Sequence, residues 1–221
     1  MRTLVWPVLA VAAGLAAPAG ARADVLSGTV ATKVREGLTP GPAVVYAEPA
    51  SGAAPAAPPR TVTVSQKNKT FLPRVVGVPV GGVVRFPNDD QIFHNVFSLT
   101  PGHAFDLGLY RAGQSKNRTI GAPGLVRVFC NIHPQMTALI VAAATPWITT
   151  AAADGSWRLE LPPGRYRLTA VSERAAPVVR EVEVAGLTTA PRLELDESDY
   201  VGVRHLNKFG QPYSEAAYKE P

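Results

Sequence analysis

The sequence predicts an all-β protein, a Greek-key β-sandwich joined to a second, smaller β-sandwich module, and three observations carry that prediction. Val, Thr, Gly and Pro are abundant, with 19 Gly and 21 Pro in 221 residues, while long runs of helix formers are few. Apolar and polar residues alternate over short stretches such as TVTVSQ and WRLEL, the period of a half-buried strand. Turn signals separate these stretches, among them Asp154-Gly155 and Pro162-Pro163-Gly164.

Residues 1–23 read as an export signal. Arg2 supplies a positive start, Leu4 to Ala17 an apolar run, and Ala21-Arg22-Ala23 small residues flanking a cut. The mature chain is therefore expected to begin at Asp24, in the periplasm. Pro7, Gly14 and Pro18 interrupt the apolar run, and no later segment is suited to span a bilayer, so no stable membrane insertion is expected after cleavage.

Residues 24–57 hold two expected strands, VLSGTV and PAVVYAEP, around the turn-prone GLTPGP, and then most of the Pro/Ala-rich linker ASGAAPAAPPR, which runs on to Arg60. Residues 58–144 carry TVTVSQ, FLPRVVGVPVGG, VVRFPN, FSLT, DLG, RTI, LVRVFC and TALIVAAA, about eight short strands, which suits a small Greek-key sandwich. Residues 145–196 form the second module, with strands at ITT, WRLEL, YRLTAV and REVEVAG. Residues 197–221 lack alternation and are expected to be a tail that hugs the surface or moves freely. The sequence leaves open whether the two early strands pair with the first sandwich or with the second module.

The net charge of +5 comes from basic residues scattered among the strands, with no cluster interleaved with aromatics, so a nucleic-acid partner is not expected. The charge suits solubility and weak steering toward an acidic partner. Cysteines of exported proteins are normally paired, yet this chain has Cys130 alone, so the thiol needs another occupation.

That occupation is written in FHNVFS at Phe93 to Ser98 and FCNIHPQM at Phe129 to Met136. His94 precedes Cys130 at a distance along the chain, His133 follows three residues after the Cys, and Met136 three further on. A thiolate and a thioether suit Cu(I), and two imidazoles also suit Cu(II), so the four donors describe one type 1 copper site. Zinc has little use for a thioether, and its structural sites are normally built of four Cys or His ligands. Cys130 is expected to end one strand and Met136 to begin the next, with Pro134 stiffening the loop that turns His133 back to the same ion. The Asn95 side chain is expected to hydrogen-bond across to the ligand loop near Cys130. His103 and His205 read as solvated, as do Asp89, Asp90 and Asp106; with no nucleophile triad or phosphate loop in sight, no catalytic residues and no enzymatic activity are expected.

With these motifs, the block from about Thr61 to Ala143 resembles the cupredoxins, the family of plastocyanin, pseudoazurin and amicyanin, and its ligand spacing is most similar to amicyanin. The resemblance implies an eight-stranded sandwich, a single copper and one-electron transfer to a redox protein partner. It also implies that one ring edge of His133 reaches the surface, beside an apolar docking patch of Phe93, Phe97 and Pro134. The stretch DLGLYRAGQSKNRTIGAPG stands apart from the family as an insertion. DGSWRLELPPGRYRLTAV resembles the transthyretin-like modules found at the end of carboxypeptidases, which normally open with strands like SGTV and PAVVYAEP. The rival to electron transfer is a copper-delivery or scaffold protein.

Overall fold

The structure, a computed structural model, describes residues 23–202 and 205–214; the export signal expected over 1–23 lies, but for Ala23, outside the described residues. The chain is all-β, with no helix among the described residues.

Two strands come first, β1 (Asp24–Lys33) and β2 (Ala43–Pro49). Ten follow: β3 (Thr61–Thr63), β4 (Ser65–Lys67), β5 (Thr70–Leu72), β6 (Val75–Pro79), β7 (Val83–Pro87), β8 (His94–Ser98), β9 (Phe105–Tyr110), β10 (Ser115–Thr119), β11 (Gly124–Phe129) and β12 (Thr137–Ala143). The last six are β13 (Ile148–Thr150), β14 (Ser156–Leu161), β15 (Gly164–Ser172), β16 (Val178–Val184), β17 (Leu187–Thr189) and β18 (Leu193–Asp196).

The first sandwich sets a sheet ordered β10-β7-β3 against one ordered β6-β12-β11-β8-β9, with β4 and β5 as a separate hairpin. Its core gathers Phe71, Phe86, Val96, Tyr110, Ile120, Val126, Val128 and Ile140. The stretch DLGLYRAGQSKNRTIGAPG, set apart as an insertion on resemblance, instead supplies β9 and β10, one edge strand to each sheet. Its apolar side chains explain this: Leu107 packs on the core beside the preceding Phe105, and the buried Tyr110 hydroxyl donates to the Phe86 carbonyl at 3.0 Å.

The second sandwich pairs the ends of the chain. β1 runs antiparallel to β14 and parallel to β17 and β18, while β2 lies between β13 and β15, with β16 beyond. The two early strands thus join the later ones, and the whole of the first sandwich falls between them in sequence. Alternation builds the interior: Trp157, Leu159 and Leu161 of β14 lie beside Leu26 and Val30 of the neighbouring β1 on the inner face of their sheet, in a core completed by Leu168 and Leu193. The turn before β14 needs Gly155, which has φ +82° and sits where a Cβ would overlap the Val30 carbonyl.

The two sandwiches pack through β12, a strand buried on both faces. Ala138, Ile140 and Ala142 face the first core, while Leu139, Val141 and Ala143 meet Val44, Ile148 and Val171 of the second sandwich. That double burial is why TALIVAA reads as an unbroken apolar run. The approach is close at Gly77, where a Cβ would come within 2.8 Å of Ile148 Cγ1 and 2.9 Å of Val44 Cγ1. A polar clamp borders the contact: Arg74 Nη2 donates to Glu173 Oε2 at 2.9 Å and to Thr137 Oγ1 at 2.7 Å.

Candidate metal centre

The site forms at one end of the first sandwich, where two connections converge. One is the turn from β7 to β8, organised by the buried Asn88. Its amide donates to the carbonyls of Ile92 and Tyr110, and its Oδ1 accepts the N–H of Asp90. Asp90 in turn accepts the N–H groups of Asn68 at 2.6 Å and Lys69 at 2.9 Å, tying the β4–β5 turn to this loop. The second connection is the ligand loop itself. Phe129 pairs with Thr137 at the end of the β11–β12 ladder, Cys130 N–H donates to the Met136 carbonyl at 3.2 Å, and Met136 N–H donates to the His133 carbonyl at 3.0 Å. A seven-residue loop closed this way has little freedom left, which suits a metal whose geometry must not relax.

Three donor atoms meet there. Cys130 Sγ lies 3.9 Å from His94 Nδ1 and 3.7 Å from His133 Nδ1, and the two Nδ1 atoms are 3.0 Å apart. A trigonal ion with bonds of about 2.0 Å to N and 2.3 Å to S separates its N donors by roughly 3.5 Å and its N and S donors by roughly 3.8 Å. The observed triangle is close to that size, so the residues fit a metal ion with little movement. All three side chains are buried, and Met136 is fully buried in the core cluster that also contains Cys130.

Electrostatics prepare the donors. The His94 Nε2 atom lies 2.7 Å from Asp90 Oδ2, so the proton resides on Nε2 and the Nδ1 lone pair is presented to the centre. Burial tends to raise the Asp90 pKa, but the Lys69 N–H, the His94 ring and the Asn68 N–H outweigh it and hold the carboxyl below its ordinary value. Burial pushes the Cys130 thiol up, against the opposing pull of the N–H groups of Asn95, Ile132 and His133. Burial therefore favours the thiol form; a bound cation would favour the thiolate, toward which the same three N–H groups are directed.

Several expectations about the surroundings need correction. The Asn95 amide donates to Asp106 Oδ1 at 2.7 Å and not to the ligand loop; it is the backbone N–H of Asn95 that reaches the Cys130 sulfur. Side chains alternate across a strand, so with the His94 ring turned inward, the Asn95 side chain lies on the opposite face of the sheet, where it meets Asp106 of the neighbouring β9. Of the expected docking patch, only Phe93 is open to solvent, at 52 %. Phe97 is fully buried against Phe129, with ring centroids 5.8 Å apart, because β8 is covered on both faces. Pro134 is buried, and His133 is only 7 % exposed, where a ring edge at the surface was expected.

The tail lies against two of these positions, with His205 at Pro134 and with Lys208 and Phe209 beside Phe97. His205 and Asp90, both read from sequence as solvated, are structural parts of the site's surroundings, His205 by way of a 2.7 Å contact from Nε2 to the Pro134 carbonyl. No local pattern marks either residue: the carboxylate acts across a turn, and the tail acts across some seventy positions of chain.

No protein-family model matches the chain, and a comparison with curated proteins finds no match. Among solved structures, it aligns with a copper-containing nitrite reductase from Thermus scotoductus SA-01 at 27% identity and TM-score 0.37, covering 43% of this chain and 25% of that one. The chain thus matches a quarter of the enzyme's length. It also aligns with a purple cupredoxin from Nitrosopumilus maritimus at 20% identity and TM-score 0.33, covering 38% of this chain and 99% of that one. A variant of amicyanin in its Cu(I) form aligns at 19% identity and TM-score 0.36, covering 44% of this chain and 99% of that one.

Proposed function

We propose that this chain is a type 1 copper protein of the cupredoxin kind that passes single electrons between redox partners in the periplasm. His94, Cys130 and His133, with Met136 from the same loop, would hold the ion. The observation that carries the reading is the buried triangle of two Nδ1 atoms and one sulfur at trigonal spacing, with Met136 at the end of the same short loop.

Bound there, copper supplies one-electron chemistry between Cu(I) and Cu(II). The residues of this chain do the rest. Asp90 holds the tautomer and orientation of His94, the Cys130–Met136 backbone pair holds the loop, and the sandwich core excludes water from the sulfur. Donors that are already placed need little rearrangement when the charge changes, which is the requirement for fast electron transfer. Burial of every donor also favours retention over release, so delivery of copper to another protein is the weaker reading. The second sandwich is proposed to be a transthyretin-like scaffold whose sheet carries the copper module.

Visible and EPR spectra of the copper-loaded protein test the proposal, beside Cys130→Ser. An intense thiolate-to-copper band at one equivalent of Cu(II), absent in Cys130→Ser, is the expected result. A colourless protein that yields its Cu(I) readily to a chelator would overturn electron transfer in favour of delivery.

A further inference from the structure

We propose that residues 205–214 are a strap that closes the ligand loop, and that electron exchange at the copper is limited by its release. The inference rests on the copper reading above for its electron-transfer consequence, though not for the strap itself.

The strap is attached to the ligand loop near both of its own ends and in its middle. Tyr213 Oη donates to the Cys130 carbonyl at 2.6 Å, Lys208 N–H donates to Asn131 Oδ1 at 2.9 Å, and His205 Nε2 lies 2.7 Å from the Pro134 carbonyl. These three attachments bracket His133. Two ring contacts seal the arrangement: the His205 imidazole stacks on Phe129 at 4.1 Å and 27°, and Tyr213 meets that imidazole edge-on at 5.2 Å. A fourth attachment anchors the strap to β9, through Lys208 Nζ and Asp106 Oδ2 at 2.8 Å. Between these attachments His133, although it stands in a connecting loop, is only 7 % exposed.

The strap has a shape of its own. Asn207 Oδ1 accepts the N–H groups of Phe209 and Gln211, Asn207 N–H donates to the Gln211 carbonyl, and Gly210 makes the turn at φ +73°. A preformed turn loses less entropy on docking than a loose tail. Its attachments are nonetheless few and only partly buried, which is the character of a segment that opens locally while the core stays folded. An oxidant or reductant approaching His133 therefore meets the strap first, and close approach requires the strap to lift.

The test uses the full chain, loaded with Cu(I) and mixed with excess hexacyanoferrate(III). One electron passes from Cu(I) to iron(III), giving Cu(II) and hexacyanoferrate(II), with no bond made or broken in the protein. In the double variant His205→Ala/Tyr213→Phe the bimolecular rate constant is expected to rise roughly tenfold to thirtyfold, the change in open population that losing two modest hydrogen bonds produces, with the copper band unmoved. A rate within about twofold of the unmodified protein, with the band intact, overturns the strap. Should the double variant fail to load copper, Tyr213→Phe alone decides, with an expected rise of about fivefold.

A metal-free measurement separates this proposal from the copper reading. The lone thiol of the apoprotein attacks an aromatic disulfide reagent, forming a mixed disulfide and releasing the coloured thiolate. The same variants are expected to speed that reaction by the same factor. Absence of a copper band in the unmodified protein defeats the copper reading alone; unchanged thiol reactivity in both variants defeats the strap alone.

Discussion

The Nε2 atom of His94 lies 2.7 Å from a carboxylate oxygen of Asp90, four residues earlier in the chain, so the ring that offers Nδ1 to the centre is held from behind by a negative charge. The same carboxylate caps the N–H groups of Asn68 and Lys69, both at φ 53°, so the β4–β5 turn and the His94 ring share one anchor.

Replacing Asp90 by Asn preserves an acceptor for the turn but removes the charge behind the imidazole. Copper affinity is expected to fall roughly tenfold to a hundredfold, the usual effect of losing a partner that orients a metal-bound histidine. Competition against a Cu(I) chelator measures it. Affinity equal to the unmodified protein would show that the carboxylate does not orient the ring.

Phe97 and Phe93, four residues apart, are expected to behave oppositely. Phe97 is fully buried beside Phe129, so Phe97→Ala leaves a cavity and is expected to cost about 3–5 kcal/mol of stability. Phe93 is 52 % exposed, and Phe93→Ala is expected to stay within about 0.5 kcal/mol of the unmodified protein. Denaturant unfolding of the two variants decides the contrast, and equal losses would refute the assignment of one to the core and one to the surface.

The Glu173 side chain, only 7 % exposed, accepts from Arg74 and Thr137 of the first sandwich, while Arg74 is 35 % exposed. Glu173→Ala is expected to cost about 1–2 kcal/mol, less than for a fully buried pair because water reaches the guanidinium. Loss of this clamp also weakens coupling between the sandwiches, so a single unfolding transition is expected to broaden or split when followed by calorimetry. A sharp transition at the original midpoint would remove the clamp from the account.

Asp106 carries an acid-dependent prediction. Burial tends to raise its pKa, but donation from Lys208, Asn95 and Gly108 outweighs that and holds it below the ordinary 3.8. A carboxyl whose pKa is lower in the folded state binds protons more tightly when unfolded. Its contribution is therefore complete above 3.8 and is lost as pH falls through the folded value. The unmodified protein is expected to lose thermal stability in acid more steeply than Asp106→Asn, as a series of melting temperatures below about pH 4 would record. Parallel acid limbs would exclude this carboxylate as a contributor.

How much of the molecule is legible beforehand depends on how local each feature is. The three donors that meet at the centre were readable because two of them, Cys130 and His133, lie in one loop between two well-marked strands, and His94 starts another strand after a recognisable turn. Short alternating runs made the all-β class readable for the same reason, since the period of two is a property of each strand by itself. Phe97 was misplaced because β8 is buried on both faces and its ladder with β9 shifts register between Asn95 and Phe97, so alternation does not report its surroundings. The roles of Asp90, His205 and Tyr213 left no trace, because a residue that acts on the backbone of a distant loop needs neither periodicity nor a motif.

The sequence by itself determined the fold class, the donor types and the short loop that brings His133 beside Cys130, all of them set by spacing and side-chain chemistry over a few residues. Only the tertiary structure decided which strands β1 and β2 would join, that both faces of β12 would be covered, and that the tail would return to close the ligand loop. An edge strand offers the same unpaired N–H and C=O groups to any neighbour, and a polar tail the same donors to any carbonyl. Which partner is taken depends on the shape and burial of the whole assembly, which no local stretch of chain records.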